Sequence, residues 1–218
     1  MDTRRNGWPK AVLFDLLTAL LDSWSVWNAA AGGEAPGRAW RADYLRLTYG
    51  CGDYVPYEDL VRQAAANTGL DASAADRLEA GWSRLPPWPG AREVVALAGR
   101  HARIGVVTNC SVRLGRQAAG IFGAGWDVVV TAEEAGCYKP RPRPYEMALE
   151  RLGVQPGDTA FVCGSGFDLL GTAQVGLRTY WHNQVGLALP EGARPPEVMS
   201  STLDGVPAWL ARFTESTR

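Results

Sequence analysis

Four short segments of the chain carry residue types that can do chemistry together. Ala11-Val12-Leu13-Phe14 ends on Asp15, and further on come Val107-Thr108-Asn109, then Tyr138-Lys139-Pro140, then Val162-Cys163-Gly164-Ser165-Gly166-Phe167-Asp168. A carboxylate, a hydroxyl, an ammonium and a second carboxylate can supply a nucleophile, two groups that bind negative charge, and an acid that orients the lysine or a water. A carboxylate is a poor nucleophile in water, but desolvated and held about 3–3.5 Å from a reacting atom it is effective. Each residue also has an ordinary structural alternative. Asp15 and Asp168 could cap the loop or helix that follows them, Thr108 could be a helix N-cap (as could Asn109 or Ser111), and Lys139 could be a solvated surface lysine. Lys139 stands out because Lys10 is the only other lysine, the remaining 20 basic residues being arginine.

The elements that must position this set follow from the apolar patterning. Apolar, β-prone runs at 11–15, 103–108, 127–131, 159–163 and 177–181 alternate with helical periodicity at 111–120, 143–152 and 167–175. Strand-helix-strand repetition predicts parallel pairing with crossover helices. Runs such as Ile104-Gly105-Val106-Val107 suit strands buried on both faces. The expected fold class is therefore α/β, a Rossmann-like parallel sheet with helices on both faces. Ligands bind such sheets at the carboxyl ends of the strands, where Asp15, Thr108, the Lys139 loop and Asp168 all fall.

Residues 23–85 break the rhythm. Helical stretches near 23–31, 38–49, 56–68 and 73–84 follow one another without a strand, separated by Gly32-Gly33-Glu34-Ala35-Pro36-Gly37, Gly50-Cys51-Gly52-Asp53 and Thr68-Gly69-Leu70-Asp71. Leu85-Pro86-Pro87-Trp88-Pro89-Gly90 ends the insert, since consecutive prolines cannot continue a helix. The division expected is a core from 1–22 and 89–218, with a helical domain at 23–88. The stretch 184–200 reads as a loop and 204–213 as a short helix.

Bulk properties narrow the partners. The chain has 218 residues, 46% of them hydrophobic, with 22 basic and 23 acidic residues and a formal net charge of -1. This balance gives no electrostatic reason to expect nucleic acid or an anionic membrane surface, and no apolar run is long enough to span a bilayer. A cytoplasmic protein acting on a small molecule is expected, and a homodimer is compatible with that. Cys51, Cys110, Cys137 and Cys163 lack the C-x-x-C spacing of a zinc site and read as free thiols. The aromatics Trp24, Trp27, Trp40, Tyr44, Tyr49, Tyr54, Tyr57 and Trp82 crowd the insert; most should form its core, while a few facing the rim would make a dry pocket. His101 and His182 read as structural, His182 lying directly after a strand.

The four motifs in this order resemble the haloacid dehalogenase superfamily, from Ala11 to about Asn183. The resemblance implies a covalent nucleophile at Asp15 and a cap domain, formed by the insert, that covers it. Phosphatases of the superfamily carry a second aspartate two residues after the nucleophile and a magnesium-binding aspartate in the fourth motif. Here these positions are Leu17 and Gly164, and neither can donate a proton or offer magnesium a side-chain oxygen. The pattern is similar instead to the 2-haloacid dehalogenases, which need no metal or other cofactor. That resemblance implies Asp15, Lys139 and Asp168 as catalytic residues. Arg41, in a Trp-Arg-x-x-x-Leu pattern, would grip the leaving halide with Asn109, and Thr108 would donate to a substrate carboxylate. Tyr145 repeats the family's lysine-to-tyrosine spacing, and Ser165 and Phe167 complete the substrate-binding set. The chain departs from the pattern at Ala19, Cys163 and Ser165, where a threonine, a serine and an asparagine are usual; Thr18 could substitute for the first with a shifted backbone. A magnesium phosphatase using Asp168, a non-catalytic binding protein of the same fold, and a biosynthetic enzyme displacing another leaving group remain as alternatives.

Overall fold

The structure, a computed structural model, describes residues 7–213, so the parts of the expected core at 1–6 and 214–218 lie outside it. Six strands form one sheet: β1 (Ala11–Phe14), β2 (Arg103–Thr108), β3 (Val128–Thr131), β4 (Thr159–Cys163), β5 (Arg178–His182) and β6 (Val198–Ser200). They are ordered β3-β2-β1-β4-β5-β6, and every neighbouring pair is parallel. Successive strand residues face opposite sides. Val12, Phe14, Val106 and Val162 enter one apolar cluster, while Leu13, Val107, Phe161 and Cys163 enter the other.

Helices cover both faces. Between β1 and β2 run α1 (Ser23–Ala31), α2 (Glu34–Gly50), α3 (Tyr57–Asn67), α4 (Ala74–Gly81) and α5 (Ala91–His101). The rest are α6 (Val112–Gly120), α7 (Ala132–Ala135), α8 (Arg143–Leu152), α9 (Asp168–Val175) and α10 (Val206–Ala211). Val94 and Val95 of α5, Leu114 of α6 and Leu210 of α10 pack with the first face; Tyr145, Leu149 and Leu152 of α8 and Leu169 of α9 pack with the second. Helices α1 to α4 form the strand-free insert. Buried Trp27, Trp40 and Tyr57 of these helices, and Trp82 just after α4, belong to the same apolar cluster as Phe14 and Val106, so the insert and the sheet share one continuous core.

Three segments depart from expectation. Helix α2 begins at Glu34, four residues earlier than the periodicity suggests, because Pro36 falls in its first turn, where no intrahelical N–H bond is required. Gly37 within it lies so close to α1 that a Cβ there would stand 2.3 Å from Asn28 Oδ1 and 2.7 Å from its Cα. The glycine-rich separator is thus a packing contact between two helices. Residues 91–101 form α5, whose Ala91, Val94, Val95 and Ala98 are buried at helical spacing. And 184–200 is not all loop: Val198-Met199-Ser200 adds β6 at the sheet edge, too short and too exposed to give an apolar run.

Candidate active site

The sheet order turns at β1, which has β2 on one side and β4 on the other, and the chain leaves β1 through Asp15. The next residues form a wide helical turn, closed by the Leu21 N–H donating to Leu16 O at 3.0 Å. This widening carries Thr18 to Asp15. Oδ2 of Asp15 accepts from Thr18 Oγ1 at 2.5 Å, Thr18 N at 2.9 Å and Ala19 N at 3.1 Å. Thr18 therefore supplies the hydroxyl that Ala19 lacks. The turn is anchored from outside as well. Trp88 Nε1 donates to Thr18 O at 3.0 Å, the Trp88 N–H to Leu20 O at 2.9 Å, and His182 Nδ1 lies 2.8 Å from Ala19 O. Sequence reasoning placed His182 near a strand end but did not give it, or Trp88, this role.

Lys139 lies between the two carboxylates. Its Nζ is 2.8 Å from Asp15 Oδ1 and 2.9 Å from Asp168 Oδ1, and all three side chains are buried. Asn109 fixes the lysine's backbone: the Lys139 N–H donates to Asn109 Oδ1 at 2.7 Å, and Asn109 Nδ2 donates to Lys139 O at 3.0 Å. Burial alone would raise the Asp15 pKa, but Lys139 and the donors from Thr18 outweigh it and hold the carboxyl below its ordinary value. Burial would lower the pKa of Lys139, and the two carboxylates reverse that and push it up. Asp168 moves the other way. Burial raises it, assisted by the negative charge of Asp15, and Lys139 offsets this only in part. Its Oδ1 accepts from Tyr145 Oη at 2.6 Å, while its Oδ2 is buried with no hydrogen-bond partner among the described residues. One carboxylate is thus held ionised, and the other is the more basic, with an oxygen free to take a proton.

A cavity of about 340 Å³ opens against these groups. Asp15, Leu17, Thr18, Asn109, Lys139, Ser165, Phe167 and Asp168 line it from the sheet side, and Arg41 with several aromatic rings lines it from the insert. Arg41 is 8% exposed, donates to Ser23 Oγ at 2.9 Å and sits 4.1 Å over the Trp24 ring. Its Nε has no partner, and no carboxylate pairs with it among the described residues. Burial lowers its pKa, yet guanidinium starts high enough to stay charged. A buried, uncompensated cation facing a cavity is a ready anion site. Phe167, at the mouth, lies with its ring centroid 4.6 Å from that of Tyr49, linking the core to α2. Ser165 accepts from the Phe167 N–H at 3.3 Å.

Two expected substrate contacts are not brought to the cavity. Tyr145 is fully buried behind Asp168, and its hydroxyl is committed to that carboxylate, so it orients Asp168 rather than touching a ligand. Thr108 is buried and outside the cavity lining, its Oγ1 without a partner. Nor does it cap α6, since Ser111 Oγ accepts from the Leu114 N–H there. Asn109 lines the cavity and also braces Lys139 through Oδ1 and one Nδ2 hydrogen, which leaves its second Nδ2 donor uncommitted.

The residues do not fit a magnesium ion in the manner of the phosphatases. Leu17 occupies one place where a carboxylate would be needed. At the other, a Cβ on Gly164 would stand 2.1 Å from Thr18 C and 2.3 Å from Ala19 N, so any side chain there collides with the backbone that carries Thr18. Among the described residues no group of three or more His, Cys, Asp or Glu side chains could hold a metal ion, and the four cysteines are free thiols.

The parallel sheet thus turns at β1, and a lysine-held carboxylate lies at that turn, facing the helical insert across the cavity. The family model for haloacid dehalogenase-like hydrolases matches residues 9–176, and the chain belongs to that family. Haloacetate dehalogenase H-2 of Moraxella sp. is 26% identical over 216 residues, 90% of this chain and 96% of that one. A pyrimidine 5'-nucleotidase of Escherichia coli is 33% identical, but over only 53% of each chain. The crystal structure of a dehalogenase with an intermediate complex superposes with a TM-score of 0.82 at 25% identity, covering 93% of this chain and 97% of that one. Among the described residues no helix is long and apolar enough to cross a membrane.

Proposed function

We propose that the protein hydrolyses the carbon-halogen bond of a small 2-halo carboxylic acid, with Asp15 as nucleophile and residues 23–88 as a cap domain over it. The observation that carries this reading is the buried, unpaired Arg41 in the same cavity as the ionised Asp15. Oδ1 of Asp15 receives one hydrogen bond, from Lys139, and keeps a lone pair for attack, whereas Oδ2 already has three donors. Oδ1 attacks the halogen-bearing carbon from the side opposite the halogen; the new C–O bond forms as the C–halogen bond breaks, and the halide leaves toward Arg41. Oδ2 becomes the carbonyl oxygen of the ester, with its donors already aimed at it.

In the second stage the Asp168 carboxylate takes a proton from a water whose oxygen attacks the ester carbonyl carbon. Negative charge then collects on the oxygen held by Thr18 and Ala19, an arrangement that stabilises such an oxyanion without reorganisation. The alkyl oxygen departs with the proton from Asp168, and the second proton of the water passes from the new carboxyl group to solvent, which restores the aspartate with one oxygen from water. Halide leaves without protonation, so nothing in this course needs an acid at Leu17 or a carboxylate at Gly164. Those two residues disfavour the phosphatase alternative, in spite of the nucleotidase likeness. The free thiols agree with a cytoplasmic, reducing setting for the reaction.

A single turnover in oxygen-18 water tests the course: the first hydroxy acid released is unlabelled and the label appears on Asp15. Label entering that first product overturns the ester mechanism. Magnesium-dependent phosphate release with no halide release, in a parallel screen with and without EDTA, overturns the dehalogenase reading.

A further inference from the structure

The cavity is larger than its reacting end requires. At about 340 Å³ it falls within the range of about 300–1,000 Å³ usual for small-molecule sites, and a two-carbon acid such as chloroacetate, with only five non-hydrogen atoms, does not fill it. The lining residues that can hold charge are Asp15, Lys139, Asp168, Arg41 and Arg38, the last of them paired with Glu34. The lining also includes Trp24, Leu45, Tyr49, Phe167, Leu187 and Pro190, which offer few partners to water. Water in so apolar a space is poorly bonded, and an apolar group that displaces it gains affinity.

The wall is built in place rather than left open by a loose loop. Asn183 holds the 184–190 segment with two hydrogen bonds to one residue, accepting from the Leu187 N–H at 2.8 Å and donating through Nδ2 to Leu187 O at 2.8 Å. Next to it, where a Cβ on Gly166 would stand 2.7 Å from Pro190 Cδ, the Tyr49–Phe167 contact ties α2 to the start of α9. Arg41 is stacked on Trp24, so that ring is fixed as a flat apolar wall beside the anion-binding guanidinium.

We propose that the preferred substrate is a 2-halo acid whose α-carbon bears a bulky apolar side chain, a longer alkyl chain or a benzyl group, lodged against Trp24 and the packed Tyr49–Phe167 pair. This rests on the dehalogenase reading and specifies the acid. The halogen-bearing carbon sits at Asp15 with the halogen toward Arg41, and the side chain extends along the aromatic wall toward Leu187 and Pro190. Each methylene moved from water into such a wall strengthens binding of substrate and transition state about fourfold.

The test is chloride release from chloroacetate, 2-chloropropanoate, 2-chlorohexanoate and 2-chloro-3-phenylpropanoate, with kcat/KM expected to rise about fourfold per methylene and to be highest for the last two. Binding of unreactive 3-phenylpropanoate and acetate, read by tryptophan fluorescence, should favour the first by at least about tenfold. Ala188→Phe, on the exposed part of the lining, should compress the preference for the larger acids. Chloride release that is flat or falls along the series overturns the proposed substrate while leaving the reaction intact, as does equal binding of the two unreactive acids. No chloride from any of the four overturns the reaction itself, and the substrate with it.

Discussion

Lys139→Met takes away the positive charge that lies 2.8 Å from one buried carboxylate and 2.9 Å from another. At an effective dielectric constant near 20, each attraction is worth about 6 kcal/mol before the cost of drying the charges is subtracted. That cost consumes most of the gain, and the loss seen when one partner of a buried pair is removed is about 3–5 kcal/mol. For a chain of this size each kcal/mol moves the melting temperature by about 2–4 °C, so a fall of roughly 6–20 °C is expected at neutral pH. The pH dependence gives the sharper test. Without the ammonium, the pKa values of both Asp15 and Asp168 in the folded state rise above those of the unfolded chain, and the native state binds more protons than the unfolded one. Stability of the variant must then fall as pH rises through the range above the ordinary carboxylate value, and the deficit against wild type must shrink toward pH 4–5. In the wild type the contribution of Asp15 runs oppositely: its lowered pKa gives stability that is present above the unfolded value and lost in acid. Calorimetric melts of both proteins between about pH 4.5 and 8 read this directly. A variant that melts within about 2 °C of wild type at pH 8, or whose deficit does not depend on pH, refutes the argument that the lysine neutralises a buried charge pair.

Other consequences can be checked on the same protein. Thr18→Val removes a hydroxyl donor to Asp15 Oδ2 and should lower kcat/KM by roughly ten- to a hundred-fold, a charge-assisted hydrogen bond being worth about 1.5–3 kcal/mol, with little change in fold by circular dichroism. Arg41→Ala should lose a similar or larger factor and Arg41→Lys recover only part of it, because an ammonium lacks the planar fork of donors; unchanged kinetics in Arg41→Ala would separate it from the leaving group. Asp168→Asn should release one equivalent of halide and then stall, leaving a covalent adduct on Asp15 visible by intact mass, and steady turnover would remove Asp168 from the hydrolytic step. In the wild type, burial raises the pKa of Asp168, so ester hydrolysis should fail in acid at a pH above the ordinary aspartate value of 3.8, as read from the acid limb of kcat.

Much of this architecture is legible in the sequence because its signals are local. Apolar runs buried on both faces give β1, β2, β4 and β5, and a carboxylate after such a run marks the rim. The position of Asp15 follows from that rule, those of Lys139 and Asp168 from the loops after β3 and β4, and their convergence on one cavity from the sheet order. What the sequence obscures depends on register or on distant partners. That Thr18 replaces a hydroxyl at 19 depends on a widened turn. That Tyr145 braces Asp168 instead of facing the ligand depends on which side of α8 packs on the sheet. The strand at 198–200 exists because β5 offers it an edge, not because its own residues demand it. Helix α5 is the opposite case, since Ala91, Val94, Val95 and Ala98 carry its amphipathic spacing openly, and it escapes notice only behind the prolines that precede it.

Gly164 also bears on how chemistries can interconvert on this scaffold. Its Cα faces the backbone of Thr18 and Ala19 so closely that there is no room for a side chain. A carboxylate introduced there to recruit a metal would displace the very segment that orients Asp15, so the first substitution on a path toward phosphoryl transfer would damage the existing nucleophile before it created a metal site. Leu17 lies in the same turn, and a second carboxylate there would bring negative charge close to Asp15 without a counter-ion. The two changes become useful only together with a reshaped turn after β1. Under the proposed mechanism, single substitutions at 17 or 164 should lose halide release without gaining metal-dependent hydrolysis, and a library that varies 16–20 jointly with 164 should gain it where single-site libraries do not.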